Sequence, residues 1–106
     1  MCQMHVGHAG KLDVLVNNVG MNVRKPVLEY TMEDFHGLLN ANLCSAFHLS
    51  QDCWRLLAQS PRASIVFISS VAGGPLAMKS GPAYAMSKGV VLDSGHAYIC
   101  NPSLPD

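Results

Sequence analysis

The chain is poor in the features that mark several protein classes. Only 13% of its 106 residues are charged, and seven basic side chains balance seven acidic ones. That balance gives no electrostatic reason to expect nucleic acid or an anionic membrane as a partner. No apolar run reaches the roughly 18 residues that a bilayer span requires. The opening stretch MCQMHVGHAGK has neither the basic start nor the apolar core of a signal peptide. Four cysteines, Cys2, Cys44, Cys53 and Cys100, show no C-x-x-C spacing. Without a secretion signal, reduced thiols and a cytoplasmic location are the expectation. His5 and His8 stand three apart with no second ligand pair, so they read as solvated histidines and no metal is expected.

What is present is a globular composition, 49% hydrophobic. Folded independently, a domain of this size buries roughly 60–70% of its unfolded surface. Residues 1–11 lack periodicity and read as a loop or the frayed tail of a helix. Leu12 to Asn17 is a continuous apolar run, too short for a helix and rich in Val and Leu, which predicts a strand buried on both faces. Asn17-Asn18-Val19-Gly20 then supplies turn chemistry, and residues 21–30 form a connecting loop. Thr31 is placed to cap a helix, with Glu33 and Asp34 in the first turn suiting the positive end of its dipole. Phe35, Leu38, Leu39, Asn42, Leu43, Ala46, Leu49, Cys53, Leu56 and Leu57 recur at helical spacing, predicting one long helix that ends near Ser60-Pro61. Cys44 and Cys53 fall within it as small buried hydrophobes. Asn42 puts an amide on the apolar stripe, and on pattern alone it reads as a core Asn with its hydrogen bonds satisfied. Ala63 to Ser69 predicts a second strand. Two strands joined by one helix make a βαβ unit with parallel strands, so both carboxyl ends, where ligands bind in open α/β sheets, share one edge.

At that edge begins the stretch SSVAGGPLAMKSGPAYAMSK, Ser69 to Lys88. With Pro82 in the first turn of a helix, Tyr84 and Lys88 lie four apart on one helical face. A hydroxyl, a phenol and an ammonium meeting at a strand end form a proton-transfer constellation. A phenol titrates at about 10, so it needs a nearby positive charge to act near neutrality, and Lys88 can supply one. Ser69 and Ser70 compete for the hydroxyl role. Either could simply cap the strand end, and a Tyr-x-x-x-Lys alone is a weak signal.

Taken with Asn17–Gly20 and Asn42, this stretch resembles the short-chain dehydrogenase/reductase family, and within it the plant tropinone reductase-like members, over roughly Gly10 to Gly89. The resemblance implies an α/β fold: a partial Rossmann-type, doubly wound parallel sheet, an incomplete three-layer arrangement. It implies an oxidoreductase moving hydride between a nicotinamide cofactor, NADP(H) rather than NAD(H), and a small carbonyl or alcohol substrate. By the place of each residue in the family's motifs, Ser70 would hold the substrate oxygen and Tyr84 would pass its proton, with Ser69 a hydrogen-bonding neighbour. Lys88 would lower the Tyr84 pKa and hold the nicotinamide ribose. Asn42 would support a relay through water, and Asn17, Val19 and Gly20 would border the cofactor. Val19 stands where the family more often has alanine.

Two departures matter. Gly7, Gly10 and Gly20 do not form the G-x-x-x-G-x-G that the family carries ahead of this region to seat a pyrophosphate at a helix N-terminus. After Lys88-Gly89 the sequence VVLDSGHAYICNPSLPD departs from the family, and Gly95 and two prolines predict a helix stop soon after Asp93. The expected organisation is therefore a partial Rossmann domain over residues 1–89 and a divergent, poorly ordered tail over 90–106. Such a chain is expected to be marginally stable and catalytically silent alone, with apolar surface and a strand edge exposed. The alternatives are a non-catalytic protein that pairs with a full-length relative, or with itself, through the long helix, or a relic without function.

Overall fold

A computed structural model describes residues 10–74 and 80–97, the last six through their backbone only. His5, His8, Cys2, Cys100 and the end of the tail lie outside the described residues. Strand β1 (Val14–Asn17) runs parallel to β2 (Ser64–Phe67), with Val14 opposite Ser64 and Asn17 opposite Phe67. Between them the chain passes through a single 3₁₀ turn at Val27–Glu29 and a long helical segment, so the expected βαβ unit is present. Helix α3 (Pro82–Ala97) follows β2 after a second 3₁₀ turn at Val71–Gly73.

The strands are shorter than the apolar runs because their flanks are held by other elements. Leu12 N–H donates to the Leu56 carbonyl at 2.9 Å, which ties the approach to β1 to the end of the long helix. Beyond β2, Ile68 N–H still bonds the Asn17 carbonyl at 2.9 Å, but the Ile68 carbonyl accepts from Lys88 Nζ at 3.0 Å.

The long helix starts where the sequence marks it. Thr31 Oγ1 accepts from Asp34 N–H at 3.1 Å while Asp34 Oδ2 accepts from Thr31 N–H at 2.9 Å, a reciprocal capping box. Lys25 Nζ reaches the same carboxylate oxygen at 2.6 Å. These contacts, the Lys25 hydrogen bond first, hold the Asp34 carboxyl down at about 2. The expected single helix is divided: α1 (Met32–Leu39) passes into a π-helical turn, Asn40–Cys44, and then α2 (Ser45–Leu57). Asn42 lies inside that wide turn. The periodicity still holds, since every residue of the expected stripe is buried or half-buried.

The core sits between α2 and one face of the sheet, where Leu15, Cys53 and Leu57 are packed with Leu12, Leu49, Ala63 and Ile65. The opposite face corrects the expectation of a strand buried on both sides. Val14 and Val16 are each 52% exposed, because alternate residues of β1 point away from α2 and no described element covers them. The helix stop expected after Asp93 is corrected as well: α3 runs through Gly95 to Ala97. A glycine within a helix costs only about 1 kcal/mol, which continuing backbone hydrogen bonds can outweigh.

Candidate active site

The carboxyl ends of β1 and β2 meet α3 and the π turn. Ser69 and Ser70, which the sequence leaves in competition, face different tasks. Ser69 Oγ donates to the Lys88 carbonyl at 2.8 Å, so it is the hydrogen-bonding neighbour it was expected to be. Ser70 Oγ accepts from Ala72 N–H at 3.2 Å, capping the 3₁₀ turn. That bond uses a lone pair, and the Ser70 O–H has no acceptor among the described residues. Ser70 and the half-buried Tyr84 line one cleft of about 480 Å³, together with Asn22, Arg24, Val71, Ala72 and Ser80.

Lys88 lies one turn beyond Tyr84 and is only 4% exposed. Its ammonium donates to the Ile68 carbonyl, and this is its one hydrogen bond among the described residues, leaving two N–H donors uncommitted. Gly20 abuts the same group. A Cβ at residue 20 would stand 3.0 Å from Lys88 Nζ and 3.5 Å from Asn42 Oδ1, so any side chain there would press on the ammonium.

Asn42 is the tie between loop and helix. Its Oδ1 accepts from Met21 N–H at 2.7 Å, and its Nδ2 donates to the Met21 carbonyl at 3.0 Å and to Ser87 Oγ at 2.8 Å. Ser87 Oγ in turn donates to the Tyr84 carbonyl at 2.8 Å. The pattern-based expectation of a satisfied core Asn therefore holds, and the partners are the segment after Gly20 and the helix carrying Tyr84. Ser87 is fully buried, and no feature of the sequence singles it out. Nor does spacing reveal the crossing at Gly73. A Cβ there would lie 2.5 Å from the Lys88 carbonyl carbon and 2.6 Å from its oxygen, so only glycine lets the 3₁₀ turn approach α3 this closely.

Asn17 and Val19 face another hollow, of about 380 Å³, shared with Val16, Asn18, Ser45, Ala46 and Leu49. Asn17 Nδ2 donates to Ser50 Oγ at 3.1 Å, whereas its buried Oδ1 has no hydrogen-bond partner among the described residues. All the expected site residues thus gather at one sheet edge, in two groups: Ser70 and Tyr84 in the larger cleft, Asn17 and Val19 in the smaller. Lys88, Gly20 and Asn42 form the network at the same edge.

Comparison with known proteins identifies the family. The short chain dehydrogenase family model matches residues 1–95. The chain belongs to the short-chain dehydrogenase family. Two tropinone reductase homologues of Arabidopsis thaliana are 52% and 48% identical to it over 83 and 91 residues, covering 78% and 86% of this chain. They cover 31% and 33% of those relatives, so the chain spans about a third of their length. Among solved structures, ligand-free aldohexose dehydrogenase from Thermoplasma acidophilum is similar at a TM-score of 0.74 and 29% identity, over 80% of this chain and 33% of that one. Gluconate 5-dehydrogenase from Burkholderia cenocepacia, in complex with NADP and tartrate, gives 0.70 and 33% over 79% and 32%.

The short-chain dehydrogenase neighbours include NADP complexes, and the residues here suit the ribose end of a nicotinamide cofactor. The uncommitted donors of Lys88, next to the bare backbone of Gly20, suit a ribose. The sequence holds no glycine-rich turn for the pyrophosphate. No helix among the described residues is long and apolar enough to cross a membrane.

Proposed function

We propose that these residues form the catalytic half of an NADP(H)-dependent carbonyl reductase that interconverts a small ketone and a secondary alcohol. The observation that carries this reading is the shared cleft of Ser70 and Tyr84, with the buried Lys88 one helical turn from Tyr84. Bound reduced nicotinamide would supply the hydride to the carbonyl carbon. Ser70 O–H donates to the carbonyl oxygen and holds it. Tyr84 gives that oxygen a proton as charge develops on it, a contribution typically worth about 10²–10⁴ in rate. Lys88 places a positive charge one helical turn from Tyr84 and would hold the ribose with its uncommitted donors. Asn42, through Ser87, fixes the turn of α3 that carries Tyr84, and a water relay from Lys88 along Asn42 would return the proton.

In this reading the 106 residues lack a seat for the pyrophosphate and are silent alone. The test is NADPH binding, followed by fluorescence, and ketone reduction, in this chain and in any longer product of the same gene. We expect neither binding nor turnover from the 106 residues, and turnover that Tyr84→Phe abolishes wherever a glycine-rich turn precedes them. Ketone reduction by this chain alone overturns the first expectation, and full activity in the Tyr84→Phe variant overturns the site.

A second reading is favoured by the outer faces of α2 and α3, where Phe47, Trp54 and Met86 are exposed. Exposed apolar side chains of this size suit a subunit contact, so the long helix would pair with a second copy or a full-length relative. Sedimentation of the chain alone and mixed with such a relative tests it. Monomers throughout would end this reading.

A further inference from the structure

Among the described residues, the wall of the larger cleft contains one charged residue, Arg24. Its guanidinium is exposed and has no ion pair or hydrogen bond among the described residues, although its neighbour Lys25 is bound to Asp34. The backbone around it is anchored on both sides. Asn22 Nδ2 donates to the Ser80 carbonyl at 3.0 Å, the Tyr30 hydroxyl donates to the Val23 carbonyl, and the Lys25–Asp34 pair follows at once in sequence. Tyr30 is itself held against Gly81, which has a φ of +95° and where a Cβ would lie 2.6 Å from the phenolic oxygen. Three tethers thus hold the segment around Arg24, one at the Val23 carbonyl and two through the Asn22 and Lys25 side chains, and Arg24 lines the cleft with Ser70 and Tyr84. Among the described residues, no acidic side chain lines the cleft to neutralise it.

We propose that Arg24 is a specificity-determining residue that selects carbonyl substrates bearing a carboxylate. This rests on the carbonyl-site reading above. Ser70 and Tyr84 take the carbonyl oxygen, and the guanidinium, a planar fork of donors matched to a carboxylate, takes the far end of the same molecule. Orientation follows from two-point binding: the acid group fixes which way the ketone lies before the chemistry begins. A merely solvated arginine would show no preference of this kind.

The test uses the full 106-residue chain, labelled with ¹⁵N, and two ligands of one skeleton: 4-oxocyclohexanecarboxylate and its methyl ester. Both are titrated while the amide signals of Ser70, Ala72 and Tyr84 are followed. The expected result is that the acid binds about three- to tenfold more tightly than the ester, the range between an exposed ion pair and a charge-assisted one. Arg24→Gln should erase that ratio, Arg24→Lys should keep part of it, and added salt should shrink it. Equal binding of acid and ester, or a ratio unchanged in Arg24→Gln, overturns the role of Arg24 and leaves the carbonyl site standing. If neither ligand moves the Ser70 and Tyr84 signals while the amide spectrum is that of a folded chain, the carbonyl site fails and this proposal fails with it.

Discussion

The two surfaces of β1 present opposite solutions. Toward α2, Leu15 and Asn17 are buried, and the carboxyl end of the strand leads into a network in which Asn42, Ser87 and Lys88 spend hydrogen bonds on loop, helix and strand. Away from α2, Val14 and Val16 stand half in solvent with nothing described upon them. The carboxyl-end network is therefore closed within the described residues, because its partners all come from the βαβ unit and the α3 helix that follows it. The sheet face is not, because a parallel strand is ordinarily covered on both sides by helices of neighbouring units.

Substitutions can break this contrast, beginning with the closest approach. Gly73→Ala should cost about 2–3 kcal/mol, since its methyl group would meet Lys88 backbone that cannot give way. A urea midpoint unchanged by that variant would show that the crossing is looser than described. Asn42→Leu should lose a similar or slightly smaller amount, about 2 kcal/mol. It strands the Met21 N–H and carbonyl, and hydrogen exchange at Met21 would report the loss directly.

The sheet itself gives a paired comparison. Leu15→Ala should destabilise by about 2 kcal/mol or more, whereas Val16→Thr, one residue on, should stay within about 0.5 kcal/mol. Light scattering should show the Val16→Thr chain aggregating less. Equal losses at 15 and 16 would mean that the outer face is covered in solution.

The smallest effect concerns pH. Asp34 has its carboxyl lowered to about 2 in the folded chain from an ordinary 3.8. A depressed folded value contributes stability that is complete above the ordinary value and is lost as pH falls through about 4 toward 2. Thermal melts across that window should decline less steeply for Asp34→Asn than for the native chain. Parallel curves would mean that the capping box and Lys25 add nothing measurable.

Much of the fold was legible because its signals are local. Thr31 and Asp34 cap a helix by their own chemistry, the stripe from Phe35 to Leu57 follows helical spacing, and Pro82 opens α3 where its missing N–H costs nothing. Tyr84 and Lys88 are one turn apart in any helix, so their pairing needed no tertiary information. The π turn at Asn40–Cys44 was not legible, since one wide turn leaves the apolar recurrence nearly unchanged.

The sequence by itself determined the βαβ order, the helix start and the presence of a Ser, Tyr and Lys at one strand edge, all consequences of spacing and backbone preference. Tertiary structure alone decided what each serine hydroxyl meets, the Lys88 carbonyl for Ser69 and the Ala72 N–H for Ser70. It alone bound Asn42 to Met21 and Ser87, 21 and 45 residues away. It also brought Gly73 against Lys88 and left Arg24 without an ion pair among the described residues. Those facts depend on which distant groups meet when the chain closes, and no local pattern encodes a distance between residues far apart in sequence.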